Sequence, residues 1–224
     1  MLISTINVMS IPEAWWACMR QIFIDGIVYT IERGSFEGHL RREFDLAVIN
    51  IQEPGIRPLV PNVPIGVPAP TSMEYIEQYL PYLMAEGKAD NEDYTYGMYL
   101  APQISKVIEM LRNSGQTNQA YLTVGDPNTI DMKDPPCLRG IQCRIRYGKL
   151  HFIVYFRSWD LWAGFPSNLA ALQLMKEDMA KELSIPDGSL MAVSPGLHLY
   201  DHSWKFAKMV LGESECSQTC QADI

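Results

Sequence analysis

Apolar positions in this chain fall into two rhythms, one of period 3.6 and one of period 2. Trp15, Met19 and Ile22 recur at helical spacing behind Ser10 and Glu13, which read as a capping box. Pro12 sits in the first turn, where its missing N–H is harmless, and Gly26 can close the helix. A second helix is predicted after Thr71, with Glu74 completing a capping box, Ile76, Tyr79 and Leu80 on its buried side, and Pro81 kinking or ending it. A third spans 101–112, with Ile104, Val107, Ile108 and Leu111 on one face. A fourth runs over 167–183 from Ser167, carrying Leu169, Leu172, Met175, Met179 and Leu183, and a short one closes the chain over 202–211. Residues 43–51 and 119–125 read as strands. Residues 140–147 and 149–158 flank Gly148 as a hairpin, and 189–200 reads as one further strand. The proline-dense stretch from Pro54 to Pro70 forbids regular structure and predicts an extended wrap or lid. Helices and strands mixed in this order predict a single α+β domain over 1–211, followed by a polar, disordered tail over 212–224.

Composition narrows the function classes. The 224 residues carry a net charge of −8, which argues against a nucleic-acid or anionic-membrane partner, since those attract basic faces. No run reaches the roughly 18 apolar residues of a spanning helix. The start lacks a basic region and meets Pro12 and Glu13 early, unlike a secretory leader. Five cysteines, an odd number, then point to reduced thiols in the cytoplasm. Cys216 and Cys220 have no histidine at ligand spacing, so no metal is expected.

Candidate chemistry concentrates in 134–168. Cys137 follows Asp134-Pro135-Pro136, and the next strand ends at Arg157-Ser158 with Asp160 beyond. A thiol beside a guanidinium has a lowered pKa and is a nucleophile. Arg157 and Ser158 suit a phosphate. Asn168 can read a ring edge that alternates donor and acceptor. The residues alone also fit a second reading, in which Cys137 is a core thiol, Arg157 a surface charge and Asn168 a helix cap.

Taken together, the Pro-Cys step at 136–137, the strand ending Arg157-Ser158-Trp159-Asp160, the Pro166-Ser167-Asn168 helix start and the later His198-Leu199-Tyr200 resemble thymidylate synthase, above all its short archaeal type. Tyr94-Thr95-Tyr96-Gly97 upstream matches as well. The resemblance implies a mixed β-sheet flanked by helices, a sheet-to-sheet homodimer, a pyrimidine nucleotide substrate and 5,10-methylenetetrahydrofolate as the cofactor. It implies that Cys137 attacks C6 of the pyrimidine, with Arg157 activating the thiol and, with Ser158, holding the phosphate. Asn168 would hydrogen-bond the ring O4 and N3–H, where the cytosine hydroxymethylases of the superfamily carry Asp. Asp160 would position ring and folate, His198 and Tyr200 would lie at the sugar hydroxyl, and Tyr96 would join the proton-transfer network. Arg33, with Gly34-Ser35, would be a mobile phosphate-binding loop and Glu53 the catalytic glutamate. The chain departs from the family at Thr117-Asn118-Gln119, where two arginines are usual, at Leu138 and Phe156, and in its C-terminal residues. The expected activity is reductive C5 methylation of dUMP. A 5-hydroxymethylase of the same fold, acting on a uridine or cytidine nucleotide, or a non-catalytic nucleotide-binding relative are the alternatives.

Overall fold

The computed structural model describes residues 1–33, 36–88 and 92–213. The tail with Cys216 and Cys220, and the predicted Gly34-Ser35 loop, lie outside the described residues. In chain order the elements are β1 (Ile3–Val8), α1 (Ile11–Asp25), β2 (Ile27–Thr30), β3 (Leu40–Glu43), β4 (Leu46–Ile51), α2 (Met73–Met84), α3 (Tyr96–Asn113), β5 (Tyr121–Thr123), a 3₁₀ turn (Pro127–Asp131), β6 (Leu138–Arg146), β7 (Lys149–Phe156), β8 (Trp159–Asp160), α4 (Gly164–Glu182), β9 (Asp187–Ser194), β10 (Leu197–Tyr200) and α5 (Asp201–Val210).

Two mixed sheets carry the strands. A six-stranded sheet has the order β1-β4-β9-β7-β6-β5, and a four-stranded sheet the order β2-β3-β10-β8. Strict alternation divides the larger sheet into two faces. The row Ile6, Ile49, Ala192, Val154, Ile141 and Leu122 runs in register across all six strands and is buried. The next row, Asn7, Asn50, Met191, Ile153, Gln142 and Tyr121, lies on the other face, where Ile153 and Tyr121 are exposed.

The capping box of α1 is present, Ser10 Oγ accepting from Glu13 N–H and Glu13 reaching back to Ser10 N–H. Four expectations are corrected. The cap of α2 is Ser72, which accepts from Tyr75 N–H, and the helix continues through Pro81 to Met84. Helix α3 begins at Tyr96, capped by Thr95, because Pro102 lies beyond the first turn of a longer helix. The single strand read over 189–200 is two strands in different sheets, parted at Pro195-Gly196. Helix α4 begins at Gly164, and Asp160 rather than Ser167 holds its start, accepting from the N–H groups of Trp162, Ala163 and Gly164 at 2.9–3.1 Å. A carboxylate there also complements the helix dipole.

Helix α4 is buried on nearly all sides, well beyond the stripe its leucines and methionines predict. Even Gln173 and Lys176 have no exposed surface. Gln173 donates to Glu177 and Asp187, and Lys176 to the carbonyl of Gly188. The proline-dense segment wraps along this helix: Arg57 bonds Glu177 at one end, and Thr71 meets Ser167, 2.9 Å between hydroxyls, at the other.

Burial lowers the Lys176 amine from its ordinary 10.5 to about 8. The folded chain therefore binds fewer protons at this site than the unfolded chain between those values, so stability rises with pH across that window. Against Lys176→Met, wild type is expected to gain about 2 kcal/mol between pH 8 and pH 9.5 in urea denaturation. A difference that stays flat would refute the lowered amine.

Candidate active site

The pairing of β6 with β7 brings the predicted nucleophile to its arginine. Leu138 faces Phe156, so Cys137 stands opposite Arg157, whose N–H donates to the Cys137 carbonyl at 2.9 Å. The guanidinium then folds back over the preceding turn. Its Nε donates to Pro136 O at 3.2 Å, and its Nη2 to Pro135 O and, at 2.9 Å, to Asp134 Oδ1. One side chain thus holds three consecutive residues before the cysteine. Burial nevertheless pushes the Cys137 thiol above its ordinary range; Arg157 pulls it down and Asp134 pushes it up. The expected lowered pKa is corrected here: desolvation outweighs a guanidinium whose charge Asp134 shares.

The Arg157-Ser158 corner is where the chain leaves the larger sheet for the smaller one. Gly196 packs against it. A Cβ there would lie 2.6 Å from the Arg157 carbonyl oxygen, so this close approach requires glycine. The Gly196 carbonyl accepts from Trp159 N–H at 2.9 Å, and β8 then pairs with β10, aligning Asp160 with His198.

His198 Nδ1 faces the Gly196 carbonyl at 2.8 Å and must therefore carry the proton. Its Nε2 is then a bare acceptor, buried and without a hydrogen-bond partner among the described residues. Burial holds the ring below its ordinary pKa. Tyr200 stands edge-on to His198 at 4.6 Å and against Phe36 at 4.7 Å. Burial, then Asp160, push its hydroxyl up to about 12. Opposite them on β3 lie Glu43 and Arg41. Arg33 and Arg41 line an open 410 Å³ depression with Tyr29 and Glu43.

Asn168, in the second turn of α4, is held from both ends of its amide. Trp159 Nε1 donates to Oδ1 at 2.8 Å, and Nδ2 donates to the Tyr79 hydroxyl at 2.8 Å. From Tyr79 a column of rings runs through Tyr82 (5.3 Å) to Tyr96 (5.6 Å). The Tyr96 hydroxyl accepts from Leu138 N–H, the peptide next to Cys137. Burial holds Tyr79 and Tyr96 well above the ordinary phenol range, so both remain O–H groups. A cleft of 490 Å³ opens beside Asn168, walled by Pro70, Thr71, Tyr75, Tyr79, Gly164 and Ser167 among others.

Sequence reading missed the roles of Tyr79, which it placed only on the buried side of a helix, and of Trp159 and Asp134, which it named only as neighbours of Arg157 and Cys137. Glu53 is not brought to this cluster. It follows Ile51, which pairs with Leu190, itself paired with Phe152, so it lies beyond the strand ends remote from Cys137. Its loop packs on Gln173 and Glu177 in the second half of α4 and on Asp187 at the start of β9. Among the described residues no group of three or more His, Cys, Asp or Glu could hold a metal, and no helix is long and apolar enough to cross a membrane.

Residues 89–221, more than half of the chain, match the family model for thymidylate synthase. The chain belongs to the thymidylate synthase family. It is similar to a Methanosarcina acetivorans protein named "Putative thymidylate synthase", 31% identical over 216 residues that cover 92% of this chain and 94% of that one. A thymidylate synthase of Staphylococcus haemolyticus is 29% identical over 113 residues, 50% of this chain and 36% of that one. The solved thymidylate synthase A of Bacillus subtilis shares the fold with a TM-score of 0.72 at 16% identity, over 91% of this chain and 84% of that one. The α+β architecture with mixed sheets flanked by helices is thus that of thymidylate synthase.

Asp134→Asn removes the charge that raises the thiol pKa and competes for Arg157. Alkylation of Cys137 by iodoacetamide near pH 7.5, followed by mass spectrometry, is expected to quicken about two- to fivefold, the range for an exposed ion pair. A slower reaction would contradict the assigned direction.

Proposed function

We propose that the protein transfers a one-carbon unit to C5 of a uridine nucleotide, converting dUMP to dTMP with 5,10-methylenetetrahydrofolate. The observation that carries this reading is a cysteine facing an arginine across two strand ends, with a carboxamide of defined polarity at the neighbouring helix start. The Cys137 thiolate adds to C6 of the ring, which turns the unreactive C5 into a nucleophilic enolate. Asn168 donates to O4 as charge develops there and accepts from N3–H. Tyr96 keeps its own proton free to donate, since its oxygen already accepts from Leu138 N–H. The substrate phosphate competes with the exposed Asp134 for the Arg157 guanidinium, and Ser158 and Arg33 complete the anion grip. His198 and Tyr200 stand on the side of the sugar hydroxyl, and Asp160 orients the start of α4 beneath the ring.

The residues present fit the folate that the family implies. Tyr75 and Tyr79 are near parallel at 6.0 Å, offering a flat aromatic wall, and Ala69, Ala163 and Gly164 leave room for a bicyclic ring. When bound, this group supplies the one-carbon unit and the hydride. A 5-hydroxymethyl product is the second reading. The observation that favours it is the hydroxyl lining of the cleft by Thr71, Ser72 and Ser167, since water held there can intercept the transferred carbon. The half-exposed row through Met191, Ile153 and Tyr121 supports a homodimer formed face to face through the larger sheet.

Incubation with 5-tritiated dUMP, with and without methylenetetrahydrofolate, tests the reading. Folate-dependent tritium release with a methylated product is expected, and Cys137→Ser is expected to bind dUMP while release falls by about three orders of magnitude or more. A hydroxymethylated product selects the second reading. No release from uridine or cytidine nucleotides would leave a binding protein. For the homodimer, Ile153→Glu is expected to halve the sedimenting mass; an unchanged mass would place the contact elsewhere.

A further inference from the structure

Asn168 can read uracil only if its amide points one way round. Uracil offers an acceptor at O4 and a donor at N3–H, whereas cytosine offers a donor at N4 and an acceptor at N3. A carboxamide turned by half a rotation would read the second as well as it reads the first. Among the described residues two side chains hydrogen-bond to this amide, and they differ in what they can enforce. The Trp159 indole N–H is a donor only, so the atom that faces it at 2.8 Å must be the carbonyl oxygen. The Tyr79 hydroxyl both donates and accepts, so it tolerates either end of the amide.

Trp159 cannot turn its N–H away. Its ring lies 3.9 Å from Phe156 at an interplanar angle of 5°, and 4.6 Å from Phe165 on α4, with 3% of its surface exposed. Its backbone is bonded to Gly196. Neighbouring aromatic rings and the sheet ladder therefore fix the indole before any ligand arrives. With Oδ1 accepting from Trp159 and Nδ2 donating to Tyr79, the amide keeps one lone pair and one N–H for a ligand, the complement of a uracil edge. Reversing it would aim an NH₂ at the indole N–H inside a buried site, leaving two donors face to face.

Resting on the uridine-nucleotide reading above, we propose that Trp159 is the positioning residue that sets the uracil-over-cytosine preference of this site, by holding the Asn168 carbonyl against its indole N–H, while Tyr79 steadies the same amide without choosing its direction. The preference then lies one hydrogen bond away from the group that touches the base. It acts on the ratio between two nucleotides and not on affinity as a whole.

Equilibrium dialysis of tritiated dUMP and dCMP against the full chain, without folate, separates the roles. Wild type is expected to prefer dUMP. Trp159→Phe keeps the aromatic stack and removes the N–H; its dUMP-to-dCMP affinity ratio is expected to fall about tenfold, chiefly through tighter dCMP binding. Tyr79→Phe is expected to weaken both nucleotides and to leave the ratio within about twofold. A folded Trp159→Phe protein with an unchanged ratio, or one that loses both nucleotides equally, overturns the assignment. So does a Tyr79→Phe protein whose ratio collapses, a result that stands even where the tryptophan variant fails to fold. A wild-type chain that binds neither nucleotide overturns the uridine reading itself, whereas wild-type preference with an unmoved variant leaves that reading intact and sinks only the role of Trp159.

Discussion

One guanidinium ties together the corner on which the rest of the site is built. The Arg157 backbone closes the last rung between β6 and β7, and its side chain binds the two carbonyls and the acid of the turn that delivers Cys137. The cysteine proposed as nucleophile is therefore placed by the same residue that tunes its thiol. Such coupling has an electrostatic consequence. While Asp134 shares the arginine, the thiol feels burial more than charge and stays protonated.

That corner is also where the chain crosses between sheets, and it crosses twice. β7 leaves the six-stranded sheet at Arg157-Ser158 to become β8, and β9 leaves it at Pro195-Gly196 to become β10. The two crossings pack on each other through Gly196, which brings Asp160 and His198 into register beside the cysteine. Side chains from strands far apart in sequence converge because two strand ends split at one place, a familiar location for binding sites in sheets.

Desolvation governs the interior of the site. Tyr79 and Tyr96 are held as phenols and His198 as a neutral imidazole, in each case chiefly by burial. Neutral groups with defined donor and acceptor ends suit recognition of an uncharged heterocycle, where polarity of each hydrogen bond decides the fit. The Asp134–Arg157 pair lies at the exposed edge, where an anionic ligand can rearrange it at small cost.

What could be read along the chain was whatever neighbouring residues enforce. Ser10 and Glu13 mark a helix start by their own hydrogen bonds, the alternation in 140–158 marks two strands about Gly148, and the Cys137, Arg157, Asn168 and His198 motifs carry their family with them. The residues that depend on partners distant in sequence were settled by folding alone. Asp160 caps α4, the strand over 189–200 divides between two sheets, and Glu53 lies beyond the strand ends remote from the cysteine. Whether a thiol is acidic depends on how much water reaches it and on who else holds its arginine. Which way an amide points depends on an indole nine residues away in the chain. Both are facts about three-dimensional neighbours, so a linear string of residue types cannot contain them.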